Sequence, residues 1–207
     1  MPDTRQQSPQ DKIRASFAAK AKAIKERRDL NDEGRALQLG RAYARSRDEM
    51  TKQKRADIER TERRRADLQQ RLFGNPRNWD STATISYRDA LDRADRLKTS
   101  DEAAALLERA VMSGDEILGR AVAMKAMGRV GPAGMGNHGW AQVVDRWVEG
   151  QPPETATNIQ ELADIVDASN STQARFAANM SYTLPKPSEL NGRDIDRLAL
   201  EAESLPE

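Results

Sequence analysis

TSDEAAALLERAVMSGDEILGRAVAMKAMG, residues 99–128, carries two helix-start signatures fourteen residues apart. Thr99 is followed three residues on by Glu102, and Ser113 by Glu116. In such a capping box the hydroxyl accepts from a first-turn amide and the carboxylate reaches back to the cap amide. Each box stands beside an Ala/Leu-rich run, so the spacing predicts helices over about 100–112 and 114–128. A third helix over about 83–98 precedes them, with Ile85, Ala90, Leu91, Ala94 and Leu97 as its apolar positions. Three short helices joined by tight turns make a helical bundle or a helical-repeat hairpin, and no second copy of the unit is evident.

Working outward, Gly74-Asn75-Pro76 is a strong stop upstream. Before it, a helical pattern runs from about Asp32 to Leu72 without proline, a span of about 60 Å at 1.5 Å per residue. A heptad trace passes through Leu30, Leu37, Ala44, Thr51, Ile58, Arg65 and Leu72, but its companion track is mostly polar. That pattern predicts a one-stripe helix resting on a neighbour, since a two-stranded coiled coil wants both tracks apolar. Ile13, Phe17, Ala21 and Ile24 predict a helix over 11–28 that can form a hairpin with the start of the long one. Asp29 to Asp32 reads as the break and cap between them. Residues 1–10, with two prolines, read as a disordered tail.

Downstream, residues 128–139 form a glycine-rich loop. A helix over about 140–149 follows, with Trp140, Val143, Val144, Trp147 and Val148 on one face. Thr157-x-x-Gln160 is a third capping-box pattern and predicts a helix over about 158–168, with another over 171–180. Pro185 and Pro187 mark an extended linker, and 190–203 is a short amphipathic segment suited to docking on a neighbour. The domain reading is therefore a tail at 1–10, a basic helical arm or hairpin at 11–73, an acidic helical domain at 77–183, and a linker with a short C-terminal segment at 184–207. The fold class is all-α.

Charge divides the chain. Residues 1–73 hold 20 Lys+Arg against 12 Asp+Glu, while residues 74–207 hold 14 against 21, within a net charge of only +1. A chain so divided can associate head to tail or hold an anionic partner at one end. The apolar fraction of 37% lies below the roughly 45–50% of ordinary domains and argues against one large core. Cysteine is absent, which removes disulfides, thiolate metal sites and a cysteine nucleophile. MPDTRQQSPQ lacks the apolar run of a signal peptide, and no stretch of about 18 apolar residues predicts a membrane span. The chain is not expected to be secreted by a signal peptide.

Candidate chemistry is sparse. Gly134-Met135-Gly136-Asn137-His138-Gly139 matches G-x-G-x-x-G, but it follows a helical pattern and lacks the preceding strand that phosphate binding needs. His138 is the only histidine, with no cysteine or second imidazole to share a metal. Carboxylates alternate with arginines, as in Arg88, Asp89, Asp92 and Arg93, which describes a solvated helix face. No catalytic residue, cofactor or metal site is expected, and the chain reads as a non-enzyme. The basic run Lys52, Lys54, Arg55, Arg60, Arg63, Arg64 and Arg65 is the candidate interaction surface, with a net +4 over fourteen residues once Asp57, Glu59 and Glu62 are counted. Trp140 and Trp147, seven residues apart, share a face and read as core residues or as partner anchors.

The stretch Tyr87 to Ala123, YRDALDRADRLKTSDEAAALLERAVMSGDEILGRAVA, with the upstream arm ending RRRADLQQRLFG, resembles helical structural proteins of actinobacterial phages. The resemblance covers roughly residues 30–150 and lies in the order of elements. It implies a virion structural or assembly protein, located in the virion or host cytoplasm, whose partners are other protein subunits, self or virion, and it supplies no functional residues. Nucleic-acid contact through the same basic arm is the alternative reading.

Overall fold

The computed structural model describes residues 7–74, 80–130 and 138–203. These residues are all-α. They form α1 (Pro9–Glu26), α2 (Asp32–Phe73), α3 (Ser81–Asp95), α4 (Ser100–Ser113), α5 (Glu116–Met127), α6 (His138–Val148), α7 (Pro153–Asn170), α8 (Thr172–Ser181) and α9 (Ile195–Glu203), with a 3₁₀ turn at Ser188–Leu190. The chain divides into two compact units, Met1–Arg60 with Phe176–Glu207, and Thr61–Arg175. Helices α2 and α8 each cross that division.

The first unit is built on the α1–α2 hairpin. Ser8 caps α1 by accepting from the Asp11 amide at 3.2 Å, with Pro9 in the first turn where its missing N–H costs nothing. The expected disordered tail therefore ends sooner than residue 10; residues 1–6 lie outside the described residues. Asn31 caps α2 through the Gly34 amide at 2.8 Å, and Arg35 Nη1 donates to the carbonyls of Arg27 and Leu30. Phe17, Ala21, Leu39 and Ala44 are buried, with Phe17 edge-on to Tyr43 at 5.7 Å.

The C-terminal segment packs back onto this hairpin. Leu184, Leu190, Ile195 and Leu198 complete the same core. Tyr43 donates to the Leu184 carbonyl at 3.2 Å, Lys25 pairs with Glu189 at 2.6 Å, and Arg47 with Asp196 at 2.6 Å. A Cβ at Gly40 would stand 2.8 Å from Leu198 Cβ, so glycine lets α9 seat directly on α2. The segment read as a linker and docking tail is thus part of a core within its own chain. The heptad trace also fails in detail, because Ala36, Leu39 and Met50 are buried while Thr51 and Ile58 are exposed.

The second unit is a bundle around α5. Ala103, Leu107, Val122, Ala123 and Ala126 are wholly buried there, joined by Leu68, Leu72, Phe73, Tyr87 and Leu162. Small residues along α5 let α3, α4 and α6 approach it closely. The Thr99–Glu102 box forms as expected. The box expected at Ser113–Glu116 does not. Ser113 closes α4, Gly114 takes the left-handed conformation at φ 69°, and Asp115 caps α5 through the Leu118 amide at 2.9 Å. Nor does Thr157 open a helix. Pro153 sits in the first turn of α7, and Thr157 falls inside that helix.

Counting charge by unit changes the picture drawn from the linear chain. The first unit holds 19 Lys+Arg against 16 Asp+Glu, and the second 15 against 17. Folding the acidic C-terminal segment onto the basic hairpin cancels most of the charge separation seen along the sequence.

Candidate interaction surface

Between Met50 and Leu68 no residue of α2 is buried. This stretch is rich in Lys, Arg, Gln, Glu and Ala, which are strong helix formers and need no apolar partner to hold the backbone locally. Its charges are of two kinds. Among the described residues, Lys52, Lys54, Arg55 and Arg65 make no ion pair; Lys54 is half-buried and the other three are exposed. Arg60, Arg63 and Arg64 are engaged.

Arg60 belongs to a polar knot in the first unit. Asp57 accepts from Arg60 Nη1 at 2.6 Å, Gln53 Nε2 at 3.0 Å, Tyr182 Oη at 2.8 Å and Gln10 Nε2 at 3.2 Å. The Gln53 hydrogen bond, followed by those from Tyr182 and Arg60, holds the Asp57 carboxyl below its ordinary range, against partial burial that acts the other way. Four donors on three segments make Asp57 a fastener for the hairpin. Arg64 is committed within the second unit. It meets Glu161 through two bonds, Nε at 2.7 Å and Nη2 at 2.5 Å, and Asp67 at 3.1 Å. The guanidinium keeps the Glu161 carboxyl below its usual range.

Trp140 and Trp147 are 8% and 6% exposed and lie in the second unit's core, where Trp147 packs 5.8 Å from Phe73. They form no surface, and neither do Leu68 and Leu72. Ile58, 48% exposed beside Lys54 and Arg55, is the apolar residue that α2 leaves outside. The helix expected over 171–180 forms as α8, Thr172–Ser181, but its exposed apolar pair was not read from the sequence. None of its residues is buried, and Phe176 and Met180, one turn apart in the first unit, are 66% and 52% exposed. The signal was available as two large apolar residues at i,i+4 in an otherwise small and polar helix.

Gly134 to Asn137 of the glycine-rich match lie outside the described residues. His138 and Gly139 open α6, and the element before the loop is α5, a helix. A Cβ at Gly139 would lie 2.3 Å from Ser100 Oγ, so this glycine serves the close approach of α6 to the start of α4. Among the described residues, no three metal-ligating side chains converge and no helix is long and apolar enough to cross a membrane. No known protein family, curated protein or solved structure matches the chain.

Proposed function

We propose that this chain is a non-enzymatic structural or assembly protein that binds neighbouring protein subunits through the middle of α2. One observation carries the reading: a continuous helix without a buried residue from Thr51 to Asp67, in which Lys54 and Arg55 stand beside the exposed Ile58 and, with Lys52, make no ion pair among the described residues. Cations in such a place set register and association rate, and the apolar residue among them supplies contact area. The complementary groups are exposed carboxylates of a neighbouring subunit. Membership of a phage virion is supported by the resemblance of residues 30–150 to phage structural proteins.

The test is charge reversal at positions that make no ion pair among the described residues. Lys52→Glu, Lys54→Glu and Arg55→Glu together should abolish multimers in sedimentation velocity while leaving helicity by circular dichroism unchanged. Multimers that survive this triple change would defeat the reading. The same cations support nucleic-acid binding as the alternative. That reading requires log affinity to fall with log salt at a slope of about −0.9 per neutralised phosphate.

A further inference from the structure

A cavity of about 740 Å³ lies in the first unit, in the groove between α1 and the first turns of α2, with Ala202 of α9 at its wall. Each helix contributes a mixed stripe at helical spacing. On α1 this is Lys20, Ile24 and Arg27; on α2 it is Leu37, Arg41 and Arg45. Among the described residues that line the cavity none is acidic. Arg27 is already paired with Asp29 and donates to Gln38 Oε1 at 3.3 Å. Lys20, Arg41 and Arg45 make no ion pair among the described residues. Arg41 Nε is buried and has no acceptor. Arg41 is half-buried, and a shielded N–H donor without an acceptor contributes nothing to the fold while leaving a hydrogen-bond position open to a partner.

From this groove we infer a binding site for an acidic amphipathic helix of a protein partner. Carboxylates along one edge of such a helix meet Arg41, Arg45 and Lys20, and its aliphatic side chains cover Ile24, Leu37 and Ala42. Helix-in-groove docking needs that combination of aliphatic floor and charged rim. A nucleic-acid strand fits less well, because none of the described residues lining the groove is aromatic for stacking and the cations flank an aliphatic floor. A free oxyanion would leave the floor uncovered. This site is separate from the α2 cations at 52–55 and stands without the assembly reading.

The test is an amide chemical-shift titration of the full chain with a blocked helical peptide of Leu and Glu at heptad spacing. A Leu/Lys counterpart, duplex DNA and sodium phosphate serve as the other arms. The Leu/Glu peptide should shift Lys20, Ile24, Leu37 and Arg41, and bind at least tenfold more weakly to Arg41→Met and to Arg45→Glu. The Arg41→Met chain should melt at the wild-type temperature or above it, because the orphaned donor is gone. Peptide binding should persist in the Lys52→Glu, Lys54→Glu, Arg55→Glu chain, which separates this site from the assembly surface. Absence of peptide binding, shifts elsewhere, or equal binding by Arg41→Met and wild type would overturn the inference. A lower melting temperature for Arg41→Met would assign that side chain to the fold, and stronger effects of DNA or phosphate at the same residues would overturn the assigned occupant.

Discussion

Gly40 shows how one missing side chain determines where a helix can lie. An alanine in a helix interior is ordinarily favoured over glycine by roughly 0.5–1 kcal/mol. Here the new Cβ would come within 2.8 Å of Leu198 Cβ, which is fixed to the α9 backbone and cannot swing away. Overpacking of this kind costs about 1–3 kcal/mol, so the clash outweighs the propensity gain. Gly40→Ala should destabilise the first unit and raise hydrogen exchange across 190–203. Unchanged exchange there would show that α9 is not seated through this contact. Asp57 makes a second residue-scale prediction. Its carboxyl is held below its ordinary range, so its contribution is complete above the unfolded value of about 3.9 and is lost as pH falls through the lower folded value. Asp57→Asn should lower stability at pH 7 by about 1–3 kcal/mol and flatten that part of the acid unfolding curve. Arg64 is different, because its pair with Glu161 is over a third exposed on both sides and water screens it. Reversing it would still set a new carboxylate against both Glu161 and Asp67 inside the second unit, which is why the assembly test uses positions 52, 54 and 55.

At the scale of elements, caps decide where helices begin, and local chemistry explains both the readable and the misread boundaries. Thr99 and Glu102 form the full box, so Thr99→Ala should cost about 1 kcal/mol in chemical denaturation. The next start separates two accounts. Asp115 accepts from the Leu118 amide, while Ser113 Oγ donates back to the Arg109 carbonyl at 2.9 Å. Asp115→Ala should therefore cost about 1 kcal/mol and Ser113→Ala markedly less; the reverse order would restore the box suggested by the sequence. Existence of the helices was legible because periodicity and caps are local properties. The start of α5 was misread because Gly114 in the left-handed region ends one helix within two residues of the next. That of α7 was misread because proline fits a first turn without any side-chain cap. The candidate surface was legible only in part. A linear run of seven cations cannot show that Asp57, Glu161 and Asp67 take up Arg60 and Arg64, since Glu161 lies almost a hundred residues away. Nor could it show that Trp140 and Trp147 are spent on the core.

For the whole molecule, the division of the chain was the least legible feature. Residues 184–203 look like a proline linker with a weak amphipathic end, yet Leu190 is wholly buried against a hairpin more than 140 residues earlier. Non-local burial of that kind leaves no periodic signal. Its electrostatic result is that opposite charges along the sequence come together inside one unit, and long-range attraction between copies is weaker than the linear chain implies. In the assembly we propose, association would then depend on the local cations of α2 and on Ile58. Light scattering on the purified chain across a concentration and salt series, with and without duplex DNA, tests this most directly. The assembly account requires multimers that grow with concentration, dissociate as salt rises and ignore DNA. A monomer at all concentrations, or a particle that enlarges only when DNA is added, would contradict it.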